Sequence, residues 1–303
     1  MKKALFCFLV VAGHLLTVPL ARAQGSLVPP GPPGPTMKTL DQIEPRRLIR
    51  SLPATISAAG SYVVTANLTG AASQNGITVT VDNVTIDLNG FTLTGTPGST
   101  NGIATVGQVL ALTVRNGTLR NWGAHGLDLA SAAGARVVNV TALQNGGCGI
   151  WAGEQSRVDD CSALENGDQG IHAGPGSTVR NCTAALNGSH GIGVEAAGQV
   201  AECTARANLE SGIQAGPGSR IASCLAVQNT LDGFGAEADC VLVDCTARGN
   251  ANRGIHGGDG VGIRSSLVAS NTTGGLVLGN QASVIETKAQ GNGQEGIRVG
   301  ESS

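Results

Sequence analysis

Apolar residues recur with a fixed period along most of the chain. From Val137 onward the sequence divides into eight consecutive units of 21 residues, the last one residue short. Within a unit, positions 1, 4, 6, 14 and 16 are apolar or small, and most positions between them are polar. Alternation of this kind is typical of β-strands, and its break between positions 1 and 4 predicts a bend there. Each unit is therefore predicted to fold as short strands separated by turns.

Two positions of the unit do not vary. Position 13 is always glycine, from Gly149 to Gly296, which indicates a positive φ angle or a close backbone approach at a turn. Position 9 is always asparagine, and stacking at the strand spacing of about 4.8 Å would let each amide bond the next. The predicted asparagine ladder consists of Asn145, Asn166, Asn187, Asn208, Asn229, Asn250, Asn271 and Asn292.

The length of the unit limits the choice of fold. A unit this short cannot bury a core alone, so its copies must stack on one another. Helical solenoids use longer units, and leucine-rich repeats need a Leu-x-x-Leu-x-Leu run that this chain lacks. The sequence therefore predicts an all-β, single-stranded parallel β-helix solenoid with about 21 residues per coil and roughly ten to eleven coils.

The repeat extends upstream in a less regular form. Residues 114–136 match the unit with a two-residue insertion, and residues 76–95 alternate apolar and polar positions. We expect the β-helix to occupy residues 61–303. Residues 37–60 are expected to form a capping segment over its first open edge, with a short helix ending before Pro45.

The N-terminus has the pattern of an export signal. Lys2 and Lys3 precede an apolar run over residues 4–20, and small residues follow up to Ala23. This arrangement predicts a signal peptide over residues 1–23, cleaved before Gln24, and a secreted, periplasmic or cell-surface protein. Residues 24–36 are rich in proline and glycine and are predicted to be an extended linker. No other long apolar run predicts a membrane span.

Cysteines recur at position 4 in five successive units. In-register parallel side chains point the same way, which opposes the torsion of a disulfide, and five cysteines cannot all pair. A metal site would need converging ligands, so neither a metal nor a cofactor is predicted. We expect a buried column of free thiols, with disulfides as the alternative: Cys161, Cys182, Cys203, Cys224 and Cys245.

Charge and aromatic content narrow the choice of partners. The net charge of −2 argues against nucleic acid, which requires a basic surface. The turn at positions 11 and 12 places polar residues on five successive coils, and two tryptophans on neighbouring coils are candidates for stacking on a sugar. These features also fit a solvated turn and ordinary packing. The candidate ligand-binding residues are Asp168, His190, Glu210, Asp232, Arg253, Trp122 and Trp151.

Two sequence features resemble a known family. The stretch NVTIDLNGFTLTG at residues 83–95, followed by coils of the form V-x-x-C-x-A-x-x-N-x-x-x-G-I, resembles the right-handed parallel β-helix repeat proteins of the pectin-lyase-like superfamily. The exported bacterial members are the most similar. The resemblance implies a right-handed coil. The superfamily includes polysaccharide lyases, polygalacturonases and alginate epimerases beside members without known activity, so the fold alone does not imply a reaction.

The enzyme motifs of that superfamily are not assembled in this chain. The pair Asp159-Asp160 and the pair His190-Gly191 resemble parts of the polygalacturonase motif, but they fall on different turns of the coil. The Asp-Pro-His-Glu motif of alginate epimerases is absent, and no coil clusters acids as pectate lyases do for calcium. The sequence favours a non-catalytic binding or structural solenoid that presents a surface to polysaccharides or a cell-surface partner. A polysaccharide lyase, hydrolase or uronate epimerase is the alternative.

Overall fold

The computed structural model describes residues 45–300. The predicted signal peptide, the linker and residues 37–44 of the predicted cap lie outside this range. Within it, every element of regular structure is a β-strand, and no helix is long and apolar enough to cross a membrane.

The thirty-five strands are short and follow one another at the spacing that the repeat predicts. In chain order they are β1 (Arg47–Ile49), β2 (Ala54–Ile56), β3 (Gly60–Val64), β4 (Leu68–Thr69), β5 (Ile77–Val79), β6 (Val84–Asp87), β7 (Thr92–Thr94), β8 (Ile103–Thr105), β9 (Val109–Leu110), β10 (Thr113–Arg120), β11 (Leu127–Leu129), β12 (Ala132–Ala133), β13 (Arg136–Leu143), β14 (Ile150–Ala152), β15 (Arg157–Asp159), β16 (Ser162–Leu164), β17 (Ile171–Ala173), β18 (Thr178–Arg180), β19 (Thr183–Ala185), β20 (Ile192–Val194), β21 (Gln199–Ala201), β22 (Thr204–Arg206), β23 (Ile213–Ala215), β24 (Arg220–Ala222), β25 (Leu225–Val227), β26 (Phe234–Ala236), β27 (Val241–Val243), β28 (Thr246–Arg248), β29 (Arg253–Gly257), β30 (Gly262–Arg264), β31 (Leu267–Ala269), β32 (Gly274–Leu278), β33 (Ser283–Ile285), β34 (Lys288–Gln290) and β35 (Glu295–Val299).

The strands stack coil on coil into two long parallel sheets. A 21-stranded sheet, here sheet A, takes two strands from each regular coil, and a 12-stranded sheet, here sheet B, takes the third. The register from coil to coil is one repeat unit, since Val158 pairs with Val179 and Val179 with Val200. The twelve strands of sheet B correspond to about twelve coils, slightly more than the sequence predicts.

The solenoid begins earlier than its predicted boundary at residue 61. Strand β1 pairs in parallel with β3, and β2 pairs in parallel with β5. Residues 47–56 therefore form part of the first coil, because their backbone groups already belong to the two long sheets.

Left-handed residues form the corners of each coil. In the coil that starts at Val158, positive φ angles occur at Asp160 (54°), Glu165 (53°) and Gly176 (67°). The first of these is position 3 of the unit, where the broken alternation predicts a bend. The invariant glycine of position 13 has a different cause. A Cβ on Gly191 would lie 2.5 Å from Asn208 Nδ2 and 2.6 Å from the Gly212 carbonyl oxygen, so close approach of the next coil requires glycine.

The asparagine ladder predicted at position 9 is confirmed. Asn208 Nδ2 donates hydrogen bonds to Asn229 Oδ1 (3.0 Å) and to the Ala184 carbonyl oxygen (3.2 Å). Its Oδ1 accepts from Asn187 Nδ2 (2.9 Å) and from the Asn187 backbone N–H (3.1 Å). The same pattern repeats from rung to rung. Each interior amide is therefore fully hydrogen-bonded within a buried column.

The position 4 cysteines form a second buried column of the same core. All seven cysteines of residues 45–300 are free and buried. Each thiol of the column lies within reach of the carbonyl oxygen two residues earlier, as Cys161 Sγ does at 3.0 Å from Asp159 O. A thiol must carry its proton to donate such a bond. Burial raises the pKa of Cys245 to about 12, which likewise favours the protonated form.

Candidate functional site

Charge is distributed unevenly around the coil. Between residues 123 and 239, positions 10–19 of each coil carry no lysine or arginine. These positions comprise the sheet B strand and its flanking turns, and their surface is here called the acidic face. Arginines of the same coils lie instead at or beside sheet A. The carboxylates of the acidic face are Asp128, Glu154, Asp168, Glu195, Glu210, Asp232, Glu237 and Asp239.

Trp151 is the large aromatic residue of the acidic face. It is the middle residue of β14, and its neighbours Ile150 and Ala152 are buried, so strand alternation turns the indole outward. The ring meets the His125 and His172 rings edge to face, with centroid separations of 5.1 Å and 5.3 Å. Contacts on both sides hold the partly exposed indole in one orientation.

An open depression of about 520 Å³ lies beside the indole. One wall is the segment Ala130–Ala133, where the two-residue insertion of the upstream coil forms β12 and pairs with β9. Gly153 also lines it, and a Cβ there would collide with the Ala132 carbonyl oxygen, so the segment approaches the strand closely. The sequence shows the insertion but not the wall, because only the coil geometry brings residue 132 next to residue 151.

Two glutamates line the depression. Glu195 Oε1 lies 3.2 Å from His172 Nε2, and His172 Nδ1 lies 3.3 Å from Gln169 Oε1. The Glu154 side chain is exposed and makes no ion pair within residues 45–300. Neither glutamate stood out in the sequence, because each is a single acid in a turn. The indole and these two carboxylates form the candidate site.

The polar line of positions 11 and 12 follows one edge of the acidic face, but its members bond to one another. His190 Nε2 lies 3.2 Å from Glu210 Oε2, and the Ser211 N–H donates to His190 Nδ1 at 3.2 Å. Ser189 Oγ donates to the same Glu210 oxygen at 2.7 Å. These bonds join neighbouring coils, so the side chains support the turn.

The remaining members of the line are held in the same way. Asp232 is only 8% exposed, and its Oδ1 accepts from the Arg253 N–H at 3.0 Å. His256 Nδ1 lies 3.6 Å from the other Asp232 oxygen. Asp168 Oδ2 accepts from the Cys148 thiol at 3.4 Å. The structure thus places all five residues along one edge and engages the side chains of Asp168, His190, Glu210 and Asp232, whereas Arg253 bonds to the line through its backbone N–H.

Trp122 does not belong to this surface. It is 1% exposed, and its indole N–H donates to the Leu93 carbonyl oxygen at 3.2 Å. Its backbone N–H donates to Asn145 Oδ1, so it occupies position 9 at the start of the asparagine ladder. The expectation that Trp122 stacks on a sugar is therefore wrong, since the ring is enclosed in the core.

A second depression, of about 260 Å³, lies on sheet A and has mixed charge. Arg157 pairs with Asp159 at 2.5 Å, and Arg180 pairs with Glu202 at 3.5 Å. Asp159 is nearly buried at sheet A, whereas His190 precedes a strand of sheet B, so these two polygalacturonase-like motif fragments do not share a site. Within residues 45–300, no three histidine, cysteine or acidic side chains converge to hold a metal.

Fold and site together define a parallel β-solenoid with an acidic outer face and one oriented tryptophan. A family model described as a right-handed β-helix region matches residues 67–230. The chain belongs to this right-handed β-helix family, and the resemblance to the pectin-lyase-like superfamily is confirmed. No curated protein shows significant sequence similarity to the chain.

Solved structures of low sequence identity share the fold. The A-module of mannuronan C-5 epimerase AlgE4 from Azotobacter vinelandii has a TM-score of 0.61 at 14% identity, covering 85% of this chain and 90% of that module. The Dettilon tailspike protein gp208 has a TM-score of 0.60 at 14% identity, covering 83% and 61%. Pectate lyase Pel9A has a TM-score of 0.50 at 18% identity, covering 82% and 68%. At these identities the similarity shows the architecture alone.

Proposed function

We propose that this chain is an exported, non-catalytic solenoid that binds a glycan on its acidic face, centred on Trp151. The observation that carries the proposal is the oriented, partly exposed indole beside a walled depression. A ring fixed before binding loses little conformational freedom on contact with a ligand. Its apolar surface suits the C–H face of a sugar, and the glutamates suit the hydroxyl groups.

The size and surroundings of the depression support a saccharide. Its volume of about 520 Å³ falls within the range of small-ligand sites. Regular coils continue beyond it on the C-terminal side, so a longer chain could extend along sheet B in that direction. Two proteins of the same fold are a mannuronan epimerase and a pectate lyase, which accords with a glycan ligand.

The geometry of the polar line favours binding over catalysis. Ser189 donates to the Glu210 carboxylate, and it is Glu210 that faces His190. Glycoside hydrolysis instead uses a pair of carboxyl groups, and both Glu210 and Asp232 of this line are held by hydrogen bonds from neighbouring coils. A polysaccharide-active enzyme remains the alternative function.

The export part of the proposal rests on the N-terminal sequence. Lys2 and Lys3, the apolar run over residues 4–20 and the small residues before Gln24 match a cleaved secretory signal. Mass spectrometry of the exported protein tests this part independently of binding. It should show the mass of residues 24–303, with Gln24 as the new N-terminus.

A glycan array tests the binding proposal, using the wild type, Trp151→Ala and Gln214→Ala. Gln214 occupies the same position of its coil three coils further on, so it controls for any change in the sheet B surface. Loss of the indole contact should weaken binding about tenfold, corresponding to roughly 1.4 kcal/mol. Equal binding by Trp151→Ala would contradict the proposal. Reducing-end or unsaturated products from uronate polymers would establish the enzymatic alternative.

A further inference from the structure

The lining of the depression beside Trp151 is negative. Glu154 and Glu195 are its ionisable side chains, and no lysine or arginine belongs to the lining. A third carboxylate, Asp128, lies outside this lining but pairs with Trp151 across adjacent strands of sheet B. Its Oδ2 accepts a hydrogen bond from Asn101 Nδ2 at 3.1 Å. A ligand here meets an aromatic ring and carboxylates, with histidine as the nearest group that could carry positive charge.

This combination discriminates between classes of glycan. A uronate brings a carboxylate toward glutamates and would be repelled at such short range. An ammonium group donates charge-assisted hydrogen bonds to carboxylates. A cation near the face of tryptophan gains a further attraction, and tryptophan is the best of the aromatic residues for it. A sugar that carries protonated amines therefore matches the indole and the two carboxylates of the lining.

The arginines of the same coils lie too far around the coil to offset this charge. Arg157 and Arg180 line the separate depression on sheet A, where both are paired with carboxylates. Glu154, by contrast, is exposed without an ion-pair partner in the described part of the chain. The unpaired carboxylate and the indole thus line the same depression.

We propose that the glycan held beside Trp151 is an amino sugar with free amines, such as a glucosamine oligomer. This inference rests on the proposed function and specifies its substrate class. The ammonium groups contact Glu154 and Glu195, and the apolar face of the ring packs on the indole. The wall at Ala130–Ala133 limits the closely held part to a short oligomer.

Titration with three disaccharides tests the inference at one neutral pH and low salt. The probes are the glucosamine disaccharide, its di-N-acetylated form and digalacturonate, monitored by calorimetry or by NMR shifts of the Trp151 indole N–H. N-acetylation removes the positive charge while keeping the ring, so it should weaken binding at least about tenfold. Digalacturonate should not bind at this depression. Added salt should weaken glucosamine binding, because the charges are exposed.

Substitutions of glutamates inside and outside the depression test whether the preference for a charged amine arises there. Glu154→Gln and Glu195→Gln should each weaken glucosamine binding about threefold to fivefold, as expected for one exposed ion pair. Glu237→Gln is the control, because Glu237 holds the same position of the coil as Glu195 two coils further on. It should leave binding unchanged. An equal effect of all three substitutions would refute contact at the depression.

The outcomes separate this inference from the function on which it rests. Preference for the acetylated or uronate disaccharide, lost in Trp151→Ala, would overturn the amino-sugar assignment and keep the glycan-binding function. Failure of all three disaccharides, with another glycan bound at Trp151 on the array, would do the same. An array without any bound glycan would overturn both.

Discussion

Asn208→Ala removes one rung from the middle of the asparagine ladder. Asn208 is fully buried, and its amide makes four hydrogen bonds of 2.9–3.2 Å to groups on the coils before and after it. Alanine keeps the backbone N–H bond to Asn229 Oδ1 but makes none of these four. The Asn187 N–H and the Ala184 carbonyl oxygen would lose these partners inside the core.

The expected loss of stability follows from counting these bonds. Each contributes about 0.5–1.5 kcal/mol net, so four give about 2–6 kcal/mol, with orphaned buried groups favouring the upper half. The terminal rung provides a matched comparison. Asn292 makes three such bonds, to Val268 and Asn271, and it is partly exposed. Because water can replace its bonds, Asn292→Ala should cost less than about half as much.

Equilibrium urea unfolding of the two variants beside the wild type measures both effects. Asn208→Ala should lower the transition midpoint strongly. It should also reduce the m value, the slope of unfolding free energy against urea concentration, because a weakened central interface lets the two halves of a solenoid unfold separately. Equal midpoints for wild type and Asn208→Ala would refute the argument that the ladder stabilises the core. Equal losses for both variants would refute the role of burial.

Three further predictions concern the cysteines, one buried aspartate and the polar line. Folded protein should expose few reactive thiols, and denaturation without reductant should release nearly all seven described cysteines; recovery of only one would mean that they are bridged. Burial by itself raises the pKa of Asp87, but hydrogen bonds from Asn89 and other donors, with the charge of Arg115, bring the net pKa below 3.8. The ionised Asp87 therefore stabilises the fold above the unfolded pKa near 3.9, and this stabilisation is lost as pH falls through the folded pKa. In urea unfolding, the difference in unfolding free energy between the wild type and Asp87→Asn should therefore shrink between about pH 5 and pH 2. Joint replacement of His190 and Glu210 by alanine removes the bonds from Ser211 and Ser189, so it should lower the free energy of unfolding by about 1–2 kcal/mol and leave glycan binding intact. Loss of binding in a folded double variant would move the ligand site to the polar line.

The repeat explains why so much of the fold could be predicted. When one residue type recurs every 21 positions, parallel stacking brings its copies into contact, so one environment can be inferred for all of them. This reasoning predicted the asparagine ladder, the bend at position 3 and the solenoid itself. It also placed the cysteines in one buried column, where the structure has them free.

The site was harder to predict, because it depends on residues that break the repeat. Trp122 replaces the ladder asparagine in an irregular coil, and it fits inside because Gly70, Gly76 and Gly102 leave room for its ring. The register of the repeat could have separated the two tryptophans. Trp151 is at position 15, between the core columns 14 and 16, so alternation turns it outward, whereas Trp122 falls at the ladder position of an irregular coil.

The sequence by itself determined the periodic part of this protein: coil length, parallel register and the identity of the stacked core columns. The tertiary structure decided what lies next to what around the coil. Between residues 123 and 239 it set the carboxylates around sheet B on one face and the arginines on the other. It also brought the inserted segment Ala130–Ala133 against Gly153, beside the depression. The physical reason is that contacts between stacked coils follow from the 21-residue period of the sequence. Contacts between different turns of the coil depend on the backbone angles at the corners and on insertions that occur only once.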